Sequence, residues 1–192
     1  MDGVIKSDVK MEGNARTKSV GAYSDVLLRV LGLVLTMIAA VIVGMDNQSK
    51  IISLKITDIL PPVQITVNAK WQYMSAFVYF LVSNAIACMY AATSLIFSMK
   101  EKNNIKNNMA LLALIILDLL IMGLLFSANG AAAAIGVIGL KGNSHAQWRK
   151  VCDVFGTYCH RMTAAIVMSL LGSFVFLLLV VLSVLNLQRK SK

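Results

Sequence analysis

The sequence predicts an all-α membrane protein, a bundle of four transmembrane helices with small loops between them. Three observations carry that prediction. Hydrophobic residues make up 58% of the 192-residue chain and charged residues only 14%, against roughly 45–50% and 25% in soluble domains. The apolar residues gather into four runs, each long enough to cross a hydrocarbon core of about 30 Å. The basic residues behind the net charge of +9 flank those runs, as an anionic membrane surface selects, which argues for lipid and against nucleic acid as a partner. The polar stretches are all short, so no soluble catalytic domain fits among them.

Residues 1–25 read as a polar tail with Lys6, Lys10, Arg16 and Lys18. A four-span membrane domain covers 26–187, with spans at about 26–44, 74–99, 109–140 and 163–187, and residues 188–192 form a basic tail. The first span, "VLLRVLGLVLTMIAAVIVG", is interrupted only by Arg29. It follows a polar tail and exceeds the 7–15 apolar residues of a signal-peptide core, so a retained anchor is expected. The third run stays apolar from Met109 to Leu140, about 48 Å of helix, and is expected to tilt or to protrude on the side its C-terminus reaches.

Four spans put both termini on one side. Lys100, Lys102 and Lys106 crowd the short second loop, and Arg189, Lys190 and Lys192 close the chain. The positive-inside rule places that side, with both termini, in the cytoplasm. The first outer loop, Met45 to Tyr73, holds "SLKIT" and "VQITV" with Pro61-Pro62 between them. Their alternation predicts a short two-stranded β element. "NQS" at Asn47 is a glycosylation sequon, expected to be unused because it lies so close to the first span.

Cys152 and Cys159 share the second outer loop, while Cys88 is alone in span two. A pair in one loop suits an oxidising, extracytoplasmic side. Seven residues of continuous helix would hold them about 10.5 Å apart, beyond disulfide reach. A bridge therefore needs a turn, for which Gly156 offers a place. The other reading is a zinc site from His145, Cys152, Cys159 and His160, whose spacing lacks the close ligand pair of zinc loops.

Helices in lipid gain little from hydrophobicity between themselves, so small residues mark their contacts. Ser83, Ala87 and Ala91 recur along span two, Ala40 and Gly44 in span one, and Ser169 and Ser173 in span four. The distal half of span three, "SANGAAAAIGVIG", including Gly130, is mostly small. Packing within the bundle explains most of these residues, and packing between copies is the remaining reading. No Gly-rich phosphate loop, Ser/His/Asp set or paired carboxylates appear, so no enzyme, cofactor or metal is expected. Asn84 and Asn129 are expected to bridge helices by hydrogen bonds.

"LIILDLLIM", residues 114–122, places Asp118 inside span three. A charge at the bilayer centre costs roughly 2.5–3.5 kcal/mol on insertion scales, so a partner is expected. Arg29 is the other ionisable residue well inside a span. Counted from the span ends, Asp118 lies roughly 13 Å deep and Arg29 roughly 5 Å, a gap that the arginine stem can cover. Asp25, one turn before Arg29, is a rival partner. The Arg29–Asp118 pair is favoured, because an unpaired Asp118 is the costlier arrangement.

The arginine in "LLRVLGLVLTMIAA", the aspartate in "ILDLLIMGLLFSANGAAAAIGVIG" and the loop "GNSHAQWRKVCDVFGTYC", with Trp148, Cys152 and Cys159, together resemble the Casparian strip membrane protein-like family of land plants. The resemblance runs from about Asp25 to the end of the chain and fits group 1 of the family, type 1E. That family is related to the MARVEL tetraspans. The resemblance implies a plasma-membrane protein that forms homo-oligomers, and hetero-oligomers with its relatives. It also implies a scaffold that guides local cell-wall modification and so meets cell-wall-modifying proteins. The family's intramembrane arginine and aspartate carry over to Arg29 and Asp118. Casparian strip members proper bear "ESLPFFTQF" in the first outer loop, where this chain has "ILPPVQITVNAKWQY". The scaffold class follows from the resemblance, whereas the Casparian strip itself does not. The alternative function is a proton-linked transporter or channel using Asp118 and Arg29, which would need a wet path to Asp118.

Overall fold

The computed structural model describes residues 2–54, 63–70, 72, 74–100, 108–142, 150, 152–153 and 155–191. Among these the elements run α1 (Asp2–Met45), β1 (Asn47–Leu54), β2 (Val63–Lys70), α2 (Ser75–Lys100), α3 (Asn108–Lys141) and α4 (Gly156–Ser191). Four stretches are long and apolar enough to cross a membrane: Tyr23–Met45, Ser75–Met99, Leu112–Lys141 and Gly156–Gln188. The expected four-span, all-α bundle is therefore present. Two boundaries differ from the reading above. The polar segment ahead of the first span continues α1 as helix back to Asp2, and α4 starts at Gly156 instead of near Thr163. Hydropathy marks where the apolar run begins, while helical hydrogen bonding continues through polar residues that tolerate it.

α3 ends because Gly142 takes a left-handed conformation, φ 70°. Its N–H donates to Ile138 O at 2.8 Å, the bond of a glycine C-cap. At the start of α2, Met74 O accepts from Phe77 N at 3.0 Å and Val78 N at 3.2 Å. The expected β element is an antiparallel hairpin running from Asn47↔Lys70 to Leu54↔Val63. Its second strand contains "VQITV". Its first strand lies earlier than "SLKIT", starting one residue after Asp46 at the end of α1, so the sequon at Asn47 is the first strand residue.

α1 packs against α2 and α4, and α3 packs against the same two helices. α1 and α3 thus stand on one diagonal of the bundle. Tyr90 reaches Asp118 and Tyr79 reaches Ser127, so α2 and α3 run antiparallel in a steady register. Extended to Ser75, that register leaves roughly nine residues of α3, about 13 Å, beyond the start of α2. The surplus length of α3 therefore passes the start of α2 at its C-terminal end and runs beside the first turns of α4. We call this the distal end of the bundle and the opposite one, where the chain termini lie, the terminal end.

The interior is layered. At the distal end Ala39, Val43, Phe77, Phe80, Ala132 and Phe155 belong to one buried apolar cluster. Nearer the terminal end Ala87, Ala91, Ile121, Leu125, Phe176 and Leu179 form a second. Between them along α1, α2 and α4 lie the buried polar residues Thr36, Ser83, Asn84, Ser169 and Ser173, and on α3 Asn129 is buried beside Ala128 of the distal cluster. The outward faces are apolar, as on α1, where Leu27, Leu31, Val34, Met37 and Val41 are exposed. That pattern suits helices whose solvent is lipid.

Candidate functional site

The terminal side of the second apolar cluster meets a network of charged and hydroxyl groups. The Arg29 side chain is 3% exposed and that of Asp118 is fully buried. Arg29 Nη2 donates to Asp118 Oδ2 at 3.2 Å, and Nη1 donates to Oδ1 at 3.4 Å. This fork-on-fork approach lets a planar guanidinium match a carboxylate. Arg29 Nε meanwhile donates to Asp25 Oδ2 at 3.0 Å, one helical turn back. The two partners were weighed as rivals, but the five donors of one guanidinium serve both.

Tyr90 on α2 completes the site. Its hydroxyl donates to Asp118 Oδ1 at 2.7 Å, and Ser98 Oγ donates to Asp25 Oδ2 at 3.3 Å. The network therefore ties α1 to α3 across the diagonal and both of them to α2. Along α2, Tyr90 lies about 15 Å from the terminal end and about 23 Å from the distal end. Each oxygen of Asp118 accepts at least one hydrogen bond, and neither Asp118 nor Arg29 keeps a buried polar atom without a partner. Satisfied in this way, the charges hold helices together, because each polar atom of the pair already has a partner within the bundle.

A second ion pair closes the distal end: Arg161 Nη1 donates to the buried Asp46 Oδ1 at 3.1 Å. It ties the end of α1 to the first turns of α4. Beside it Cys152 and Cys159 form a disulfide, with Cα atoms 5.7 Å apart. The turn that permits the bridge lies at Cys152 and Asp153, and Gly156 is already the first residue of α4. Cys152 N also donates to Gly139 O at 3.3 Å, fastening the turn to α3. With both thiols in the bridge the zinc reading falls, and the described residues hold no group of three metal ligands. Trp148 and His145 lie outside the described residues.

A family model described as the Casparian strip membrane protein domain matches residues 18–175. The chain belongs to the Casparian strip membrane protein-like family. CASP-like protein 1E1 from Vitis vinifera is 52% identical over 194 residues, which cover 100% of this chain and 95% of that protein. The protein of the same name from Populus trichocarpa is 51% identical over 177 residues, covering 92% and 89%. Its counterpart from Arabidopsis thaliana is 45% identical over 187 residues, covering 97% and 95%. These relatives place the chain with type 1E of the CASP-like family, and none of their names denotes an enzyme. No solved structure matches.

In this CASP-like bundle the small residues divide into two sets. Ser83, Ala87, Ala91, Ser169 and Ser173 are buried between helices, and Ala40 is half-buried. Gly44 and Gly130 are exposed. A Cβ on Gly44 would only touch Leu81 at 3.9 Å, and one on Gly130 would meet nothing within 4 Å. These two glycines do not mark close approaches inside the bundle, because their side of the helix turns outward. Gly172, not singled out from the sequence, does mark one: a Cβ there would stand 3.3 Å from Thr36 Cγ2. Asn129 Nδ2 donates to Ser173 Oγ at 3.1 Å, bridging α3 and α4 as expected. Asn84 Nδ2 instead donates to Phe80 O of its own helix at 2.9 Å, since that carbonyl lies one turn back and within reach.

Proposed function

We propose that this protein is a non-enzymatic scaffold of the plasma membrane, with both termini and the α2–α3 loop in the cytoplasm. It self-associates, joins related family members, and organises a membrane domain that guides local cell-wall modification. The observation that carries this reading is the closed charge network. Arg29 and Asp118 satisfy each other, Asp25 and Tyr90 complete them, and an apolar layer separates them from the polar residues at mid-bundle. Conduction through one chain would call for a continuous polar path, and that apolar layer stands against it. Self-association draws support from the outward face of α3, where Gly123, Ser127, Gly130 and Ala134 are all exposed. These residues follow the four- and three-residue spacing of a single helix face. A Cβ on either Gly123 or Gly130 would meet nothing within 4 Å, so another helix could approach closely there.

The test is energy transfer between two fluorescent versions of the full chain in vesicles, with proton and ion flux read from the same preparation. Gly123→Leu with Gly130→Leu should lower transfer at least threefold while each copy keeps its fold. The wild-type vesicles should show no flux above empty ones. Transfer unchanged by the leucines would remove the α3 face, and a flux abolished by Asp118→Asn would replace the scaffold with a transporter.

A further inference from the structure

α2 and α3 converge at Tyr90 and Asp118 and then part towards the terminal end. Between them lies a groove of about 460 Å³, with Tyr90, Thr93 and Phe97 on one wall and Ala113, Leu114 and Leu117 on the other. The α2 residues follow helical spacing, so one face of α2 lines the groove opposite one face of α3, and at its inner end Tyr90 Oη donates to Leu114 O at 3.4 Å. Phe97 and Leu117 remain 46% and 44% exposed. A second cavity, lined by Phe77 of α2, by α3 and α4 and by the disulfide, holds only about 70 Å³, whereas a cavity binding benzene measures roughly 150 Å³. The larger groove admits a longer guest.

We propose that this groove binds one acyl chain of an anionic phospholipid from the leaflet on the terminal side. Three features select that occupant. The groove opens sideways into the hydrocarbon layer, so the medium at its mouth is lipid. Its hydroxyls are already used within the protein: Thr93 Oγ1 donates to Met89 O or Tyr90 O, Ser94 Oγ to Ala91 O, and Tyr90 to Asp118. What remains for a guest is an apolar lining, which suits a hydrocarbon chain. The sequence of the segment that joins the two walls selects the headgroup. α2 ends at Lys100, one turn past Phe97, and the sequence joining the two walls, "KEKNNIKNN", carries three lysines against one glutamate. A basic sequence joining the two walls favours anionic headgroups.

The bound chain would cover Tyr90 on its lipid side and so seal the charge network. This inference rests on the proposed cytoplasmic placement of the termini only for naming the leaflet; the groove and its guest do not depend on it.

Full-length protein is reconstituted in nanodiscs with phosphatidylserine, or with phosphatidylcholine, bearing a photoactivatable group midway along one acyl chain. Cross-linked peptides are then mapped. Labelling should concentrate at Phe97, Leu114 and Leu117, at least fivefold above the exposed α4 residues Leu178 and Val181. Phosphatidylserine should label severalfold more than phosphatidylcholine. Ala113→Phe with Thr93→Leu fills the groove and should abolish the excess while leaving the α4 signal unchanged. Even labelling of all exposed faces, equal labelling by the two lipids, or links between two copies at the groove would each overturn the proposal. Protease access to the termini is measured on the same discs. Termini on the wrong side would refute the topology in the functional reading while the lipid site stood.

Discussion

Arg29 works because of the shape of its side chain. A guanidinium presents donors in a rigid plane, so Nε can face Asp25 while Nη1 and Nη2 face Asp118. A lysine ammonium is a compact point charge without that fork, so it cannot reproduce the paired contact with Asp118 while also holding Asp25 in the same geometry. The three partners should therefore differ in cost. Asp118→Asn leaves a buried guanidinium short of a counter-charge and should lower stability by about 3–5 kcal/mol. Arg29→Lys keeps the charge but loses the fork, and an intermediate cost of about 1–3 kcal/mol is expected. Tyr90→Phe removes one charge-assisted bond from an oxygen that Arg29 still reaches, at about 1–2 kcal/mol. Unfolding in mixed micelles measures the series, and a Tyr90→Phe loss as large as that of Asp118→Asn would contradict this ranking. The sequence exposed Arg29 and Asp118 because charges inside apolar runs are costly and therefore conspicuous. It hid Tyr90, because a tyrosine in a span is unexceptional until the α2–α3 register sets its hydroxyl against Asp118. It also made rivals of Asp25 and Asp118, since a list of residues carries no information on how many directions one side chain can serve.

Among the elements, α1 and α4 approach most tightly where Gly172 faces Thr36 and Leu35, and Gly32 faces Phe176. Gly172→Leu must push Thr36 and the α1 backbone aside, and overpacking of this kind costs about 1–3 kcal/mol. Gly130→Leu adds the same side chain to open space and should leave the fold of a single copy within about 0.5 kcal/mol of wild type. Thermal unfolding of both variants in detergent, dilute enough to hold single copies apart, checks the contrast. Equal losses would mean that the two glycines do not differ as their surroundings imply. The existence and order of the four spans could be read from hydropathy, because twenty apolar residues have few other uses. Which small residues turn inward could not. A four-residue repeat marks one helix face but not which way that face points: Ser83, Ala87 and Ala91 face the interior, whereas Ala40 is half-buried and Gly44 faces outward. The helix α4 begins before the apolar span for a related reason. Its first turn, from Gly156 to His160, is held by backbone bonding and by the Cys152 bridge, and neither registers in hydropathy.

At the scale of the whole molecule, lipid offers helices little hydrophobic reason to choose one arrangement over another. The polar contacts must then carry much of the choice, and the Arg29–Asp118 pair spans the diagonal between α1 and α3. Stability and uniqueness can therefore be separated. Replacing a buried ion pair by well-packed apolar residues is often neutral, or stabilising by about 1–4 kcal/mol, because two desolvated charges are removed together. Arg29→Met with Asp118→Leu should accordingly unfold within about 1 kcal/mol of wild type, or later, although either position changed alone is costly. Asp25 loses its partner in this variant but keeps Ser98, and with a side chain 30% exposed it is the member best placed to reach water. What should change is the distribution of distances between α1 and α3. Spin labels at Leu27 and Leu120, both exposed, should give one narrow distance in the wild type and a visibly broader distribution in the double variant. Such a result would assign the charges to specifying the bundle. A double variant that unfolds as early as Asp118→Asn alone, with its distance still narrow, would show instead that the pair supplies stability and that the apolar layers fix the arrangement unaided.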